Sequence, residues 1–216
     1  MSTGSDVPSS AHKEFDEFIA ALSTSDSLDA RKAIDKSIWE RFGCSGTAFI
    51  SDMANFSSTS RTLGISHFLK LIYRAREIIE PIIDSNNGTL LKSDGDNCYA
   101  YFEFPDDAIR ASMEINSTLF EANRHLEIED HIYLSVGIDY GDLLLIGSED
   151  FYGDPVNTAS KLGEDLAGQA ETLVTERAME RSSFQSHENA EHMVARISDI
   201  EINYVRFTMA TPVSDE

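Results

Sequence analysis

Two clusters of turn-forming residues, each set between apolar β-prone runs, fix most of the architecture. Ser93-Asp94-Gly95-Asp96-Asn97 stands between the extended runs 89–92 and 98–104, and Gly141-Asp142 stands between 132–140 and 143–146. Asp-Gly and Gly-Asp pairs in such a setting are hairpin chemistry. A stretch of helical period precedes each hairpin. Before the first, Ile65, Phe68, Leu69, Ile72, Ile79 and Ile82 recur at spacings that line one helix face, and Asn87-Gly88 ends the run. Before the second, Pro105 opens a helix that carries Ala108, Ile109, Ser112, Ile115 and Leu119. A short apolar strand, 47–50, precedes both and ends on Ser51 and Asp52. Strand, helix, hairpin, helix, hairpin is the split β-α-β-β-α-β order, so the expected fold class is α+β, a ferredoxin-like core with helices on one face. A loop at 147–154, a helix at 155–166, a strand at 172–175 and extended runs at 194–197 and 202–209 add an αβ extension at the carboxyl end.

Upstream, residues 1–12 are rich in Ser, Gly and Pro without period and read as a disordered leader. Over 13–44, Phe15, Phe18, Ile19 and Leu22, then Ile34, Ile38 and Trp39, predict two short amphipathic helices as a lead-in to a domain spanning 45–212. The 216 residues suit one domain with a tail. Seventeen Lys and Arg face 38 Asp and Glu, a formal charge of −21. Such a chain is not expected to bind nucleic acid or an anionic membrane surface, both of which ask for clustered cations. Cys44 and Cys98 lack metal-ligand spacing, and the N-terminus lacks the apolar core of a signal peptide. The longest aliphatic run is 143–146, too short to span a bilayer. A reduced, cytoplasmic setting is expected.

Two carboxylates stand where this topology would join them. Asp52 ends the first strand, and Asp96 sits at the tip of the first hairpin, 44 residues later. Paired carboxylates in oxygen-rich surroundings hold Mg²⁺ or Mn²⁺, and two such ions can clamp an in-line displacement at phosphorus. An acidic protein that takes a polyphosphate needs those cations to offset its own charge.

Three blocks sharpen this reading. Phe49-Ile50-Ser51-Asp52-Met53-Ala54-Asn55-Phe56-Ser57, then Lys92-Ser93-Asp94-Gly95-Asp96, then Asp150-Phe151-Tyr152-Gly153-Asp154-Pro155-Val156-Asn157-Thr158-Ala159-Ser160-Lys161 resemble the signature blocks of class III nucleotidyl cyclase catalytic domains, in family order and spacing over roughly 45–182. The resemblance implies that Asp52 and Asp96, with the backbone carbonyl of Met53, ligate two divalent metal ions, Mn²⁺ or Mg²⁺. It implies that Asn55, Phe56 and Ser57 wrap the triphosphate, that Asn157 orients the ribose, and that Lys161 stabilises charge at the transferring phosphorus. Lys92 and Asp150 match the two base-reading positions. It also implies a homodimer whose sites form between subunits, metal groups from one chain and Asn157, Lys161 and Asp150 from the other. The reaction implied is attack of the ribose 3′-oxygen of a nucleoside triphosphate on the α-phosphorus, releasing pyrophosphate.

Two departures stand out. Lys161 replaces the family arginine, giving a point charge where a planar fork is usual. The family's late triphosphate lysine has no counterpart in 194–207, where Arg196 and Arg206 are the cations. By position, Lys92 and Asp150 favour ATP. The lead-in Trp39-Glu40-Arg41-Phe42-Gly43 and the block Val156-Asn157-Thr158-Ala159-Ser160-Lys161-Leu162-Gly163-Glu164-Asp165 instead resemble the small bacterial cyclases that include the pyrimidine cyclases of Pycsar anti-phage systems, which make cyclic UMP or cyclic CMP as a second messenger. Tyr99, Tyr101 and Tyr152 are bulky enough to narrow a base pocket. The sequence thus leaves a pyrimidine cyclase first, an adenylate cyclase second and a non-catalytic cyclase-fold module third.

Overall fold

A computed structural model describes residues 9–54, 63–186, 190–197 and 200–208. Asn55, Phe56 and Ser57 lie outside the described residues. An eight-stranded sheet runs in the order β2-β3-β1-β4-β6-β8-β7, with β5 paired to β4. The strands are β1 (Gly43–Met53), β2 (Gly88–Asp94), β3 (Asn97–Phe102), β4 (Leu134–Ile146), β5 (Asp150–Tyr152), β6 (Glu171–Thr175), β7 (Ala190–Ile197) and β8 (Ile200–Thr208). The helices are α1 (Ser10–Thr24), α2 (Leu28–Phe42), α3 (Ile65–Ser85), α4 (Pro105–Asn123), α5 (Asp154–Ser160) and α6 (Glu176–Met179). The run β1-α3-β2-β3-α4-β4 has the spatial order β2-β3-β1-β4, which is the ferredoxin-like arrangement the sequence predicts.

The pleat sends alternate side chains to opposite faces, and each face has its own cover. Phe49, Cys98, Ala100, Phe102, Val136 and Ile138 point to the face packed by α3 and α4, where Phe68, Leu71, Ala75, Ile79, Ile109 and Ile115 close the main core. Ala48, Ile50, Leu91, Leu143 and Phe151 point the other way, beneath Ala159 of α5. Burying a large apolar side chain is worth about 1.5–3 kcal/mol, so both faces stabilise the register. The pair α1–α2 packs separately. Phe15, Ile38 and Phe42 close over Ile146, with Leu144 alongside. Among the described residues, no helix is long and apolar enough to cross a membrane, and both cysteines are free.

The structure corrects the sequence reading at three places. The helix starts at Ser10, inside the run read as a leader, because Ser9 caps it: its hydroxyl accepts from the His12 amide at 3.2 Å and donates to Glu149 at 2.8 Å. A lone capping serine in a serine-rich run gives no periodic signal. β1 begins at Gly43, four residues ahead of the predicted strand. Gly141-Asp142 is not a turn. β4 runs straight through it, because the long β1 supplies partners on the far side: Gly141 lies opposite Gly46, and Asp142 opposite Ser45, whose hydroxyl donates to its carboxylate at 2.6 Å. The second hairpin is β4–β5, turning at Gly147, whose φ of +58° is the left-handed conformation glycine tolerates.

Candidate active site

β1 and β3 pair antiparallel up to Ser51 opposite Cys98, so Asp52, still paired with Ser135 of β4, has run past β3 and stands beside the β2–β3 turn that carries Asp96. The two carboxyl groups are close enough that each bears on the other's charge. Burial first, and then the Asp96 charge, push the Asp52 pKa up to about 7. Two acids whose charges oppose one another mark a site where a cation can take the place of a bound proton. The donor set is all oxygen, the preference of Mg²⁺ and Mn²⁺. Among the described residues no group of three or more His, Cys, Asp and Glu is placed to hold a metal. One or two carboxylates are what Mg²⁺ takes from protein when phosphate and water oxygens complete its shell.

α5 lies on the sheet through small residues. A Cβ on Gly137 of β4 would stand 2.0 Å from the Ala159 carbonyl, and one on Gly163 would stand 2.8 Å from the Ile50 carbonyl. Backbone therefore touches backbone. Past Ser160 the helix widens into a π-helical turn over Lys161–Leu166, an irregularity that often accompanies functional sites. Asn157 and Lys161, four apart, share a helix face. Asn157 is exposed and Lys161 half-buried.

Seven residues beyond Asn157, within the π turn, is Glu164, to which the sequence analysis assigns no role. Its carboxylate accepts from the Tyr99 hydroxyl at 3.4 Å and its charge bears on Asp52. Burial raises its pKa, with Asp165 pushing the same way against the Tyr99 hydrogen bond. The π turn thus ends beside the Asp52–Asp96 pair. Tyr99 also carries the Lys92 ammonium over its ring, 5.2 Å from the centroid, so this one side chain links Glu164 to the predicted base-reading residues.

Lys92 and Asp150, 58 residues apart, meet in an ion pair at 2.7 Å. The Asp150 side chain is only 13% exposed, and every contact it makes donates to it. One oxygen accepts from Lys92 and from the Phe151 amide at 2.8 Å, the other from the Tyr152 hydroxyl at 2.9 Å. Tyr152, expected only to narrow the base pocket, here also donates to the base-reading carboxylate. The signal for that contact was available, since residues two apart on a strand share a face. Of the two late cations, Arg206 is engaged by Glu191 and Glu171.

No protein-family model matches the chain. Over 92 residues, 43% of this chain, it is 30% identical to the Rhizobium meliloti (strain 1021) protein named "Putative adenylate cyclase 3"; the match spans 16% of that protein's length. Among solved structures, the adenylate/guanylate cyclase/hydrolase from Silicibacter pomeroyi superposes with a TM-score of 0.66 at 24% identity, covering 78% of this chain and 99% of that one. The guanylyl cyclase Cya2 gives 0.66 at 20% identity, over 80% of this chain and 96% of that one. A bacterial light-regulated adenylyl cyclase gives 0.67 at 20% identity, over 90% of this chain and 68% of that one. The fold is therefore that of the class III nucleotidyl cyclase catalytic domain.

Proposed function

We propose that this protein is a metal-dependent nucleotide cyclase that converts a nucleoside triphosphate into a 3′,5′-cyclic monophosphate and pyrophosphate. The observation that carries the reading is the closeness of Asp52 and Asp96, at the end of β1 and the adjoining β2–β3 turn of a cyclase-type sheet. These carboxylates, with the Met53 carbonyl, would hold two divalent cations, Mn²⁺ or Mg²⁺. Bound there, the cations supply acidity to the 3′-hydroxyl and offset the triphosphate charge. Asn55, Phe56 and Ser57 are assigned to the triphosphate. Asn157 orients the ribose, so that the 3′-oxygen lies in line with the α-phosphorus. Lys161 neutralises charge that builds there as the new P–O bond forms and pyrophosphate departs. The chain acts as a homodimer, each site taking its carboxylate pair from one subunit and Asn157, Lys161, Lys92 and Asp150 from the other.

For the base, the reading is a pyrimidine, with UTP ahead of CTP: the Lys92–Asp150 pair favours a base carbonyl over an exocyclic amine, and the size of the ring decides pyrimidine against purine. Asp150 already accepts three hydrogen bonds, so its capacity to receive a further donor, such as an exocyclic amine, is largely used. Lys92 keeps N–H groups to offer a base carbonyl. The Tyr99 and Tyr152 rings flank this end and favour a small base. ATP is the second reading, favoured by the name of the Rhizobium meliloti relative. Competition among UTP, CTP, ATP and GTP in the presence of Mn²⁺, with products resolved by chromatography, tests both. Cyclic UMP or cyclic CMP as the main product is expected, and cyclic AMP would move the assignment to the second reading. No cyclic product from any nucleotide would overturn the cyclase assignment and leave a regulatory module on a cyclase fold.

A further inference from the structure

The base end of the site is tied to the N-terminal helices, a connection that the catalytic chemistry does not require. Phe15 of α1 stacks on Tyr152, ring centroids 5.5 Å apart and planes within 10°. Phe15 is itself fixed edge-on by Phe42 of α2, at 5.4 Å and 89°. The outer face of Tyr152 is thus taken by the helical pair, while its hydroxyl points inward to Asp150. Burial, helped by the Asp150 charge, pushes the Tyr152 pKa up to about 12, so the hydroxyl keeps its proton and remains a donor at neutral pH. A second contact runs alongside. At the head of α1, the Ser9 amide and hydroxyl both donate to the Glu149 carboxylate, at 3.1 and 2.8 Å, one residue before Asp150.

We propose that α1 and α2 position the base end of the site: Phe15 fixes Tyr152, Tyr152 fixes Asp150, and Asp150 fixes Lys92. Tyr152 and Phe15 are positioning residues, acting through Asp150. That Lys92 and Asp150 read a base rests on the cyclase reading above; the chain of contacts does not. A ligand or partner that moves the helical pair would change the placement of Lys92 without touching the carboxylate pair, which makes α1–α2 a handle for regulation.

The test is the rate at which Lys92 is acylated by a limiting amine reagent in the full chain, read by mass spectrometry, with Lys70 on α3 as the internal reference. Tyr152→Phe removes one hydroxyl from a ring that is 43% exposed and keeps the stack. Phe15→Leu keeps apolar volume and removes the stack. Each is expected to raise Lys92 labelling relative to Lys70 by about fivefold or more, the factor one lost hydrogen bond represents. Because both act along one route, the double variant is expected to do no more than the larger single. Phe15→Tyr, which retains the ring, is expected to stay near wild type. Unchanged Lys92 labelling in Tyr152→Phe, or additive effects in the double variant, would overturn the coupling.

A second measurement separates this proposal from the cyclase reading. In both single variants the ratio of kcat/KM between competing nucleotides should shift in the same direction, with KM moving more than kcat. A raised Lys92 labelling with an unchanged nucleotide ratio would overturn the pair as the base end. A wild-type protein without turnover would sink the cyclase reading, while the labelling experiment still decides the coupling.

Discussion

Asp52 binds a proton more tightly in the folded chain than in the unfolded one, because burial and the neighbouring Asp96 penalise its charge. Its folded pKa, about 7, lies above the unfolded value of about 3.9. The stability this proton contributes is complete below the unfolded value and is lost as the pH rises through the folded one. Measured against Asp52→Asn, the melting temperature of the metal-free wild type should therefore fall between about pH 5 and about pH 8. Saturating Mn²⁺ should reverse the sign of that difference, since only the wild type can exchange its proton for the ion. A flat difference across that range, or an equal Mn²⁺ effect on both proteins, would contradict the pairing. Turnover in Asp52→Ala or Asp96→Ala should drop by about a hundredfold or more with the fold retained. At this scale the sequence was informative about which acids belong together, since strand end and hairpin tip follow from the pattern. It was silent on Glu164, and on the contact of Glu164 with Tyr99, which depends on where a π turn ends.

At the scale of elements, α5 carries Asn157 and leads directly into Lys161, and its first turn is fastened by one arginine. Arg177 of α6 donates to the buried carboxylate of Asp139 on β4 and, at 2.6 Å, to Asp154 at the start of α5. Asp139 also accepts from the Thr175 hydroxyl and the Tyr140 amide. Its pKa is nonetheless raised by burial, and removal of the arginine would leave a buried charge without its partner. Arg177→Ala should cost about 3–5 kcal/mol in chemical denaturation. A loss under about 1 kcal/mol would show the pair to be surface-like. At the other end of α5, Lys161→Arg restores the planar fork and should preserve or raise the cyclisation rate; complete loss would mean that the lysine has a geometry of its own. The misread Gly141-Asp142 belongs to this scale as well. A Gly-Asp pair forms a turn only when no neighbouring strand continues past it, and here β1 starts early enough to hold β4 straight. Periodicity within one segment carries no information about the length of its partner.

For the whole molecule, the strand order β2-β3-β1-β4 was legible from alternating strand and helix periods, because the ferredoxin-like order is what that alternation packs into. The junction between α1–α2 and β5 was not, since it depends on a stack between rings 137 residues apart in the chain. The proposed homodimer also makes a prediction at this scale. Asp52→Asn and Asn157→Ala should each be inactive alone, and mixed in equal amounts they should recover about a quarter of wild-type activity, because half the dimers then hold one intact site. Sites contained within single chains would show no recovery. The most direct test remains the chemistry at the carboxylate pair: cyclic monophosphate and pyrophosphate measured together, with and without Mn²⁺, for the wild type and Asp52→Asn. The account predicts the two products in equal amounts only when both the metal and Asp52 are present. Equal product from Asp52→Asn, or product formation independent of a divalent cation, would contradict it.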